Sequence, residues 1–176
     1  MQILETERLI LREMTMDDLP ATRAIMCDAE TLAAWPAPFT EDENLQGLRK
    51  QIQSYQENGF GRWGALLKET GDLIGICGPA WCEADGEQVL EIGYLFNRKF
   101  WGKGYATEAA MACKNYAFDV LKADEVFSLV SDTNYASMNV AIRNGMLVRG
   151  RFVKQYKGVD MPHYIFSVRR QELSFV

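Results

Sequence analysis

Apolar and polar positions follow a strand-like pattern in about seven short segments of the chain. Each segment is an apolar run or an alternation of apolar and polar residues, and turn-forming residues or charges bound it. The turns at residues 69–72 and 84–86 are short enough to join antiparallel neighbours. The predicted strands span residues 8–12, 63–67, 73–81, 89–96, 126–130, 147–156 and 164–168.

Four other segments carry helix signals. Residues 15–18 and 40–43 have the form of capping boxes, and Gly59 is placed to end the second helix at Asn58. A third helix is predicted from about residue 104 to 121, and a fourth from 134 to 144, before Gly145. The third helix repeats apolar residues every three to four positions along one face, which predicts close packing on a sheet. That face consists mainly of small residues: Ala106, Ala109, Ala110, Cys113, Ala117 and Leu121.

The order of these elements predicts an α/β fold. Hairpin-length turns favour antiparallel pairs, whereas two strand–helix–strand segments favour crossovers, so the sheet should be mixed and largely antiparallel. No repeat, linker or low-complexity tract interrupts residues 1–176, which predicts a single domain.

Charge and composition exclude several classes of function. The net charge is −5 with a pI near 5.0, which argues against a broad nucleic-acid surface. The first residues alternate charged and apolar side chains, and no segment is long and apolar enough for a membrane span, so a cytoplasmic protein without membrane contact is expected. Four cysteines without CxxC spacing and a single histidine, His163, argue against a metal site or a disulfide framework.

The segment with the clearest chemistry is a strand that runs through Gly102-Lys103-Gly104 into the small-residue helix. Glycines let backbone N–H groups approach a ligand, and a helix start adds partial positive charge, which together suit a pyrophosphate. Arg98, Lys99 and Lys103 add cations beside the loop. The sequence matches neither a P-loop nor a Rossmann GxGxxG motif. A glycine pair that only shapes a turn is the alternative.

The loop resembles the coenzyme-binding loop of the GNAT acetyltransferases. Gly104 and Ala106 occupy the glycine and Gly/Ala positions of that motif, whereas Trp101 replaces the usual Gln or Arg at its head. The run FWGKGYATEA is similar to the RimJ/RimL-type branch, which acetylates the N-termini of ribosomal proteins. Residues 6–12 and 134–146 agree with the same branch. The resemblance implies a GNAT-like domain with about seven strands and four helices, which uses acetyl-CoA as the acyl donor.

The resemblance also implies which residues bind the coenzyme. The loop would present amides to the pyrophosphate, and the preceding strand would pair with the pantetheine arm, where the Phe96 amide polarises the thioester carbonyl. Asn134 would hydrogen-bond the pantetheine, although Asn is equally suited to cap the helix that it precedes. The implied set comprises Tyr94, Leu95, Phe96, Arg98, Trp101, Gly102, Lys103, Gly104, Tyr105, Ala106, Thr107, Asn134 and Ser137.

The same resemblance suggests the catalytic groups. Glu91 lies on the strand where several members of the family place a catalytic base, with an ordinary strand glutamate as the alternative. The family's thiol-protonating Tyr is replaced here by Ala141, so Ser137 is the expected acid, with Tyr135 or water as substitutes. His163 falls near the expected acceptor pocket, although a lone histidine on a strand is more often structural.

The acceptor is the least defined part. By the same resemblance, its pocket would be shaped by the first two helices, their loop and the last two strands. Candidates for an apolar wall are Trp35, Phe39, Phe60 and Trp63, although packing in the core explains these aromatics as well. The acidic residues 41–43 would attract an ammonium group or compensate the partial positive charge at the start of the helix. The expected function is acetyl transfer to a primary amine, such as a protein α-amine. A small-molecule amine and a non-catalytic acyl-CoA-binding module are the alternatives, and a monomer and a homodimer both stay open.

Overall fold

The computed structural model describes the backbone of residues 1–175 and the side chains of residues 1–172. Short 3-10 turns lie at Met16–Asp18, Arg98–Phe100 and Arg170–Phe175. The helices are α1 (Leu19–Met26), α2 (Glu41–Asn58), α3 (Tyr105–Asp119) and α4 (Tyr135–Arg143). The strands are β1 (Gln2–Glu5), β2 (Leu9–Arg12), β3 (Trp63–Leu67), β4 (Leu73–Ala84), β5 (Glu87–Phe96), β6 (Glu125–Ser131), β7 (Leu147–Tyr156) and β8 (Val159–Arg169).

The strands form one mixed sheet in the order β1-β2-β3-β4-β5-β6-β8-β7. All neighbours pair antiparallel except β5 and β6, which are parallel and connected through α3. The α/β class, the mixed and largely antiparallel sheet and the four helices are therefore confirmed. The sheet has eight strands rather than about seven, because Gln2–Glu5 pairs with β2 as an additional edge strand.

The predicted ends of α2 are confirmed by their cap geometry, whereas α1 starts at Leu19 after the 3-10 turn and α3 ends at Asp119. Thr40 accepts a hydrogen bond from the Glu43 amide, the Glu43 carboxylate accepts one from the Thr40 amide, and α2 ends at Gly59 with a φ of 75°. Four strands are longer than predicted: β4 and β5 continue to a tight turn, β8 starts at Val159, and β6 is one residue longer at each end. The added residues are partly polar, and cross-strand backbone pairing rather than an apolar pattern holds them.

Two helical layers cover the sheet. α1 and α2 pack together, and α3 contacts α4 while lying on β4 and β5. The small residues Ala109, Ala110, Cys113 and Ala117 of α3 are buried in the core, as their spacing predicts. Within residues 1–175, no helix combines the length and the apolar composition that crossing a bilayer requires.

Candidate active site

The central feature of the site is a fork between the two parallel strands. β5 and β6 share one register pair, Glu91 with Phe127. At the next residue of each strand, a side chain takes the place of a backbone hydrogen bond: the Ser128 hydroxyl donates to the Ile92 carbonyl at 2.9 Å. The strands thus separate at Glu91 and leave a gap in the middle of the sheet.

A cavity of about 320 Å³ passes through this fork. It brings together five of the predicted site residues, namely Glu91, Tyr94, Leu95, Asn134 and Ser137. The Phe96 side chain is buried in the core instead, against Gly75, and the residues of the glycine loop lie outside the cavity lining. The predicted site therefore has two parts, a loop at the surface and a cavity across the sheet.

The glycine loop has the backbone geometry of an anion cradle. Gly102 and Gly104 both have positive φ, 74° and 84°, which residues with a Cβ rarely adopt. Gly104 is the N-cap of α3 and offers no side chain to cap it, and the first helical bond is the one from the Glu108 amide to the Gly104 carbonyl. The amides of Tyr105, Ala106 and Thr107 therefore open α3 without an intrahelical acceptor, as the first turn of a helix requires.

An arginine that sequence reasoning missed fixes this loop. The Arg8 guanidinium donates to the Lys103 carbonyl at 2.8 Å and forms an ion pair with Glu108 of α3 at 2.6 Å. Glu108 also accepts from the Thr6 hydroxyl at 2.6 Å, and these bonds lower the pKa of a carboxyl that partial burial alone would raise. Arg8 additionally stacks on the Tyr105 ring, 4.5 Å from its centroid. The agreement of residues 6–12 with the family therefore has a physical basis, because this segment anchors the loop.

The cations predicted beside the loop have protein contacts of their own. Arg98 pairs with Glu30 at 3.1 Å and lies 5.4 Å from the Trp101 ring. The Trp101 indole donates to the Phe96 carbonyl at 2.6 Å, which ties the loop back to the end of β5. Lys103 lies over Phe100 at 5.8 Å. The structure thus places Arg98, Trp101 and Lys103 together at the loop, and their contact with a coenzyme stays a prediction.

The start of α4 borders the other side of the cavity. Asn134 accepts from the Ser137 amide at 3.1 Å, so it is the N-cap of α4, and it also lines the cavity. The Tyr94 hydroxyl donates to the Ser137 carbonyl at 2.7 Å and fixes α4 on β5. Asn134 and Ser137 are therefore both held at the border of the cavity.

Glu91 stands at the apex of the fork, and only 8% of its surface is exposed. Its carboxylate forms a salt bridge with Arg62, accepts from the Cys82 thiol at 3.0 Å and has a long contact of 3.4 Å with the Leu129 amide. Burial raises the pKa of Glu91, but the Arg62 charge and these donors outweigh burial and lower it below the ordinary value. Glu91 is thus an anion whose oxygens are already engaged.

Arg62 reaches Glu91 through a trough that two glycines open. Gly78 and Gly93 are paired across β4 and β5. A Cβ on Gly93 would lie 2.5 Å from the Arg62 Nε, and one on Gly78 would lie 2.9 Å from the Arg62 Cα. Sequence reasoning missed Arg62 and the two glycines that make room for it. The available signal was glycine inside two strand patterns, which indicates a close approach of another chain segment.

His163 lines the same cavity and is 4% exposed. It lies in β8, opposite Ser131 of β6 and Phe152 of β7. Its Nδ1 lies 2.8 Å from the Met161 carbonyl. Burial lowers the pKa of His163 below its ordinary value, so the ring is neutral at pH 7. The register of the last strands therefore brings a neutral imidazole to the site, on the side where the acceptor was expected.

Two of the four predicted wall aromatics line the cavity. Trp35 and Phe39 do so and pack with Tyr156, whose ring lies 5.1 Å from that of Trp35 and 5.9 Å from that of Phe39. For Phe60 and Trp63 the alternative holds, because both belong to the hydrophobic core and neither lines the cavity. Trp63 alternates with Arg62 along the chain, so it points away from the cavity when Arg62 points towards it.

The acidic run of α2 serves mainly as a cap. Glu41 pairs with Arg23 at 2.5 Å, and Glu43 borders the cavity but accepts from the Thr40 amide at 2.7 Å and from Lys157 at 2.8 Å. These two carboxylates are thus already paired with cations of the chain.

Comparison with known proteins identifies a family and several relatives. The model of the acetyltransferase (GNAT) domain matches residues 8–147, most of the chain. The chain is 41% identical to the uncharacterised protein YkkB of Bacillus subtilis over 92 residues, a match that covers 51% of this chain and only 54% of that protein.

Two further proteins extend the similarity over nearly the whole chain. The FsC-acetyl coenzyme A-N(2)-transacetylase of Aspergillus fumigatus is 28% identical, with 96% of this chain and 77% of that protein covered. RimL, a ribosomal L7/L12 alpha-N-protein acetyltransferase solved with coenzyme A, superposes with a TM-score of 0.76 at 17% identity over 96% of this chain and 98% of that chain. The likeness to RimL shows a shared fold.

Proposed function

The chain belongs to the GNAT acetyltransferase family, and we propose that it transfers the acetyl group of acetyl-CoA to a primary amine. The observation that carries this proposal is the cavity through the β5–β6 fork. It connects the Asn134–Ser137 side of the sheet with the side that carries Glu91 and His163. A thioester that enters from one face would thus meet an amine that enters from the other.

The glycine loop supports the coenzyme as the acyl donor. The uncapped first amides of α3 suit a pyrophosphate, and Arg98 and Lys103 lie beside them. The gap beyond Glu91 would take the extended pantetheine arm against β5. Tyr94 and Leu95 would border that arm, and Asn134 would bind it.

The chemistry requires a neutral amine and a proton for the departing thiolate. Ser137 borders the cavity and is the proposed acid, because Ala141 occupies the position of the family's thiol-protonating Tyr. A coenzyme thiol has a pKa near the Cys reference value of about 8.5, so the acid contributes modestly. That Glu91 is the base for the amine proton stays a prediction. Because the Glu91 carboxylate is bound to Arg62, the proton would reach it through an intervening group or water.

The proposed acceptor is the α-amine of a protein or peptide. An α-amine has a pKa of about 7.7–8.0, so roughly a tenth of it is neutral at pH 7, whereas a lysine amine near 10.4 is neutral only about 0.04% of the time. The carboxylate at the apex, Glu91, is already paired with Arg62, which is poor equipment for the more basic amine. The shared fold with RimL, which is named for an α-amine of a ribosomal protein, agrees with this choice.

A small-molecule amine is the second candidate. The relative from Aspergillus fumigatus, whose match covers 96% of this chain, is named an FsC-acetyl coenzyme A-N(2)-transacetylase, a name that mentions no ribosomal protein. A cavity of about 320 Å³ with Trp35 and Phe39 in its wall also suits a compact acceptor.

An acceptor panel tests the proposal. We expect acetyl-CoA-dependent acetylation of short peptides with free Ser or Ala N-termini, with internal lysines unmodified in mass spectra. Identical peptides with a blocked α-amine are the matched control and should be inert. Faster turnover of a polyamine or an aminoglycoside than of every peptide would replace the α-amine by a small-molecule acceptor. Absence of coenzyme turnover with every amine, despite coenzyme binding, would favour a non-catalytic acyl-CoA-binding module.

A further inference from the structure

The imidazole of His163 is held in a defined tautomer. A carbonyl oxygen can only accept a hydrogen bond, so the 2.8 Å contact with the Met161 carbonyl requires a proton on Nδ1. In the neutral ring this leaves the lone pair on Nε2. The structure gives Nε2 no hydrogen-bond partner among residues 1–172, and His163 lines the cavity. The imidazole of this cavity-lining residue therefore carries a free basic nitrogen.

The geometry points to a role for this nitrogen. Resting on the acetyl transfer proposed above, we propose that Nε2 of His163 accepts the proton that the acceptor ammonium must lose before it attacks the thioester. Glu91 then serves as a positioning residue, because its carboxylate holds Arg62 in the trough of Gly78 and Gly93 at the apex of the fork.

Burial and the charged groups near His163 set its pKa. Burial lowers its pKa, the Met161 carbonyl raises it, Lys154 of β7 lowers it, and Glu91 of β5 and Asp132 after β6 raise it. Asp132 is itself paired with Arg151 at 2.6 Å, and Glu91 with Arg62, so neither carboxylate holds the imidazolium directly. Together these influences leave the pKa of His163 below its ordinary value. The ring is therefore unprotonated at pH 7 and its Nε2 can accept a proton.

The reaction balances without a further reagent. Nε2 takes one proton from the ammonium, and the freed lone pair of the amine forms the C–N bond with the thioester carbonyl carbon. The C–S bond then breaks, and its electron pair leaves on the thiolate. The attacking nitrogen gives its extra proton to that thiolate, through Ser137 or water, and the imidazolium releases its proton to solvent. The products are the amide, the free thiol and one proton.

The single histidine makes a direct measurement possible. In the wild-type protein labelled with 15N, the one imidazole spin system should show the Nδ1–H tautomer at pH 7 and a pKa below 6.5. An Nε2–H tautomer, or an imidazolium at pH 7, overturns the proposal whether or not an acceptor is known. This result would leave the acetyl transfer itself untouched.

Kinetics with His163→Asn provide the second test. The Asn amide keeps a donor for the Met161 carbonyl but has no titratable nitrogen. Acetylation of a peptide with a free N-terminal Ser should fall about 10²–10⁴-fold in kcat/KM at pH 7, with unchanged affinity for acetyl-CoA. The loss should shrink at high pH, where the amine deprotonates unaided, and His163→Gln should behave alike.

The pH profile separates His163 from Glu91. The wild type should lose activity at low pH as Nε2 becomes protonated, and this acid limb should stay in place when the acceptor is exchanged for a more basic N-terminal β-alanyl peptide. Glu91→Gln should keep this limb, whereas in His163→Asn it should be replaced by a limb that follows the pKa of the acceptor amine and moves when the acceptor is exchanged. If Glu91→Gln abolishes the limb while His163→Asn retains both the limb and the rate, the carboxylate is the proton acceptor and the proposal is wrong.

Discussion

The glycine loop and the acceptor side of the cavity are built in different ways. The loop is a continuous segment from Trp101 to Thr107, and its geometry follows from glycines with positive φ at a helix start. The acceptor side combines side chains from distant parts of the chain, among them Trp35 before α2, Arg62 beside β3, Glu91 in β5 and His163 in β8.

This difference decides which part of the molecule tolerates sequence change. A loop that binds with main-chain amides depends on conformation, so substitutions matter where they alter φ. A cavity assembled from several strands depends on register and on paired charges. A substitution at one residue therefore leaves the polar or charged group that it contacted without a partner. The two parts should therefore fail differently, one in coenzyme affinity and the other in stability and rate.

The largest expected effect is on the ion pair at the fork. Glu91→Gln removes the charge that compensates Arg62 and should lower the free energy of unfolding by about 2–3 kcal/mol, less than for a fully buried pair because 34% of the Arg62 side chain is exposed. Urea denaturation measures the loss. The double variant Arg62→Met with Glu91→Leu is the control and should recover most of it. A loss below about 1 kcal/mol in Glu91→Gln would contradict the importance of this pair.

A smaller effect is expected at the loop. Gly104→Val places a β-branched residue at a φ of 84°, so the amides of the cradle must shift, and affinity for acetyl-CoA should fall about 10–100-fold by calorimetry. Gly71→Val is the matched control, since Gly71 has a φ of 77° in a turn between β3 and β4. It should cost stability but leave affinity intact. Unchanged affinity in Gly104→Val would remove the loop from the coenzyme site.

The smallest effect is expected at Ser137, which lines the cavity at the start of α4. Ser137→Ala should lower kcat about three- to tenfold with little change in coenzyme affinity, because the thiolate is a fair leaving group without an acid. Ser131→Ala is the control, since Ser131 also lines the cavity but shares its hydroxyl with Thr133 at 3.1 Å. If coenzyme affinity falls and kcat does not, Ser137 binds the coenzyme but does not protonate the thiolate.

Strand and helix positions could be predicted where local signals are strong. The capping box at Thr40, the C-cap at Gly59 and the small-residue stripe of α3 all match the structure. β1 could not be predicted, because Gln2–Glu5 is a four-residue edge strand that is held mainly by its pairing with β2. The choice between wall and core could not be made for Trp63, because aromatic character does not say which face of a strand a residue occupies.

The sequence by itself determined the elements other than β1, the glycine loop and the family resemblance, since each depends on residues close together in the chain. Only the tertiary structure placed Arg62 on Glu91, opened the trough at Gly78 and Gly93, and turned His163 into the cavity. These contacts depend on strand register, and a shift of one residue would turn every side chain of a strand to the other face. Register is set by the pairing of all eight strands together, which no local pattern contains.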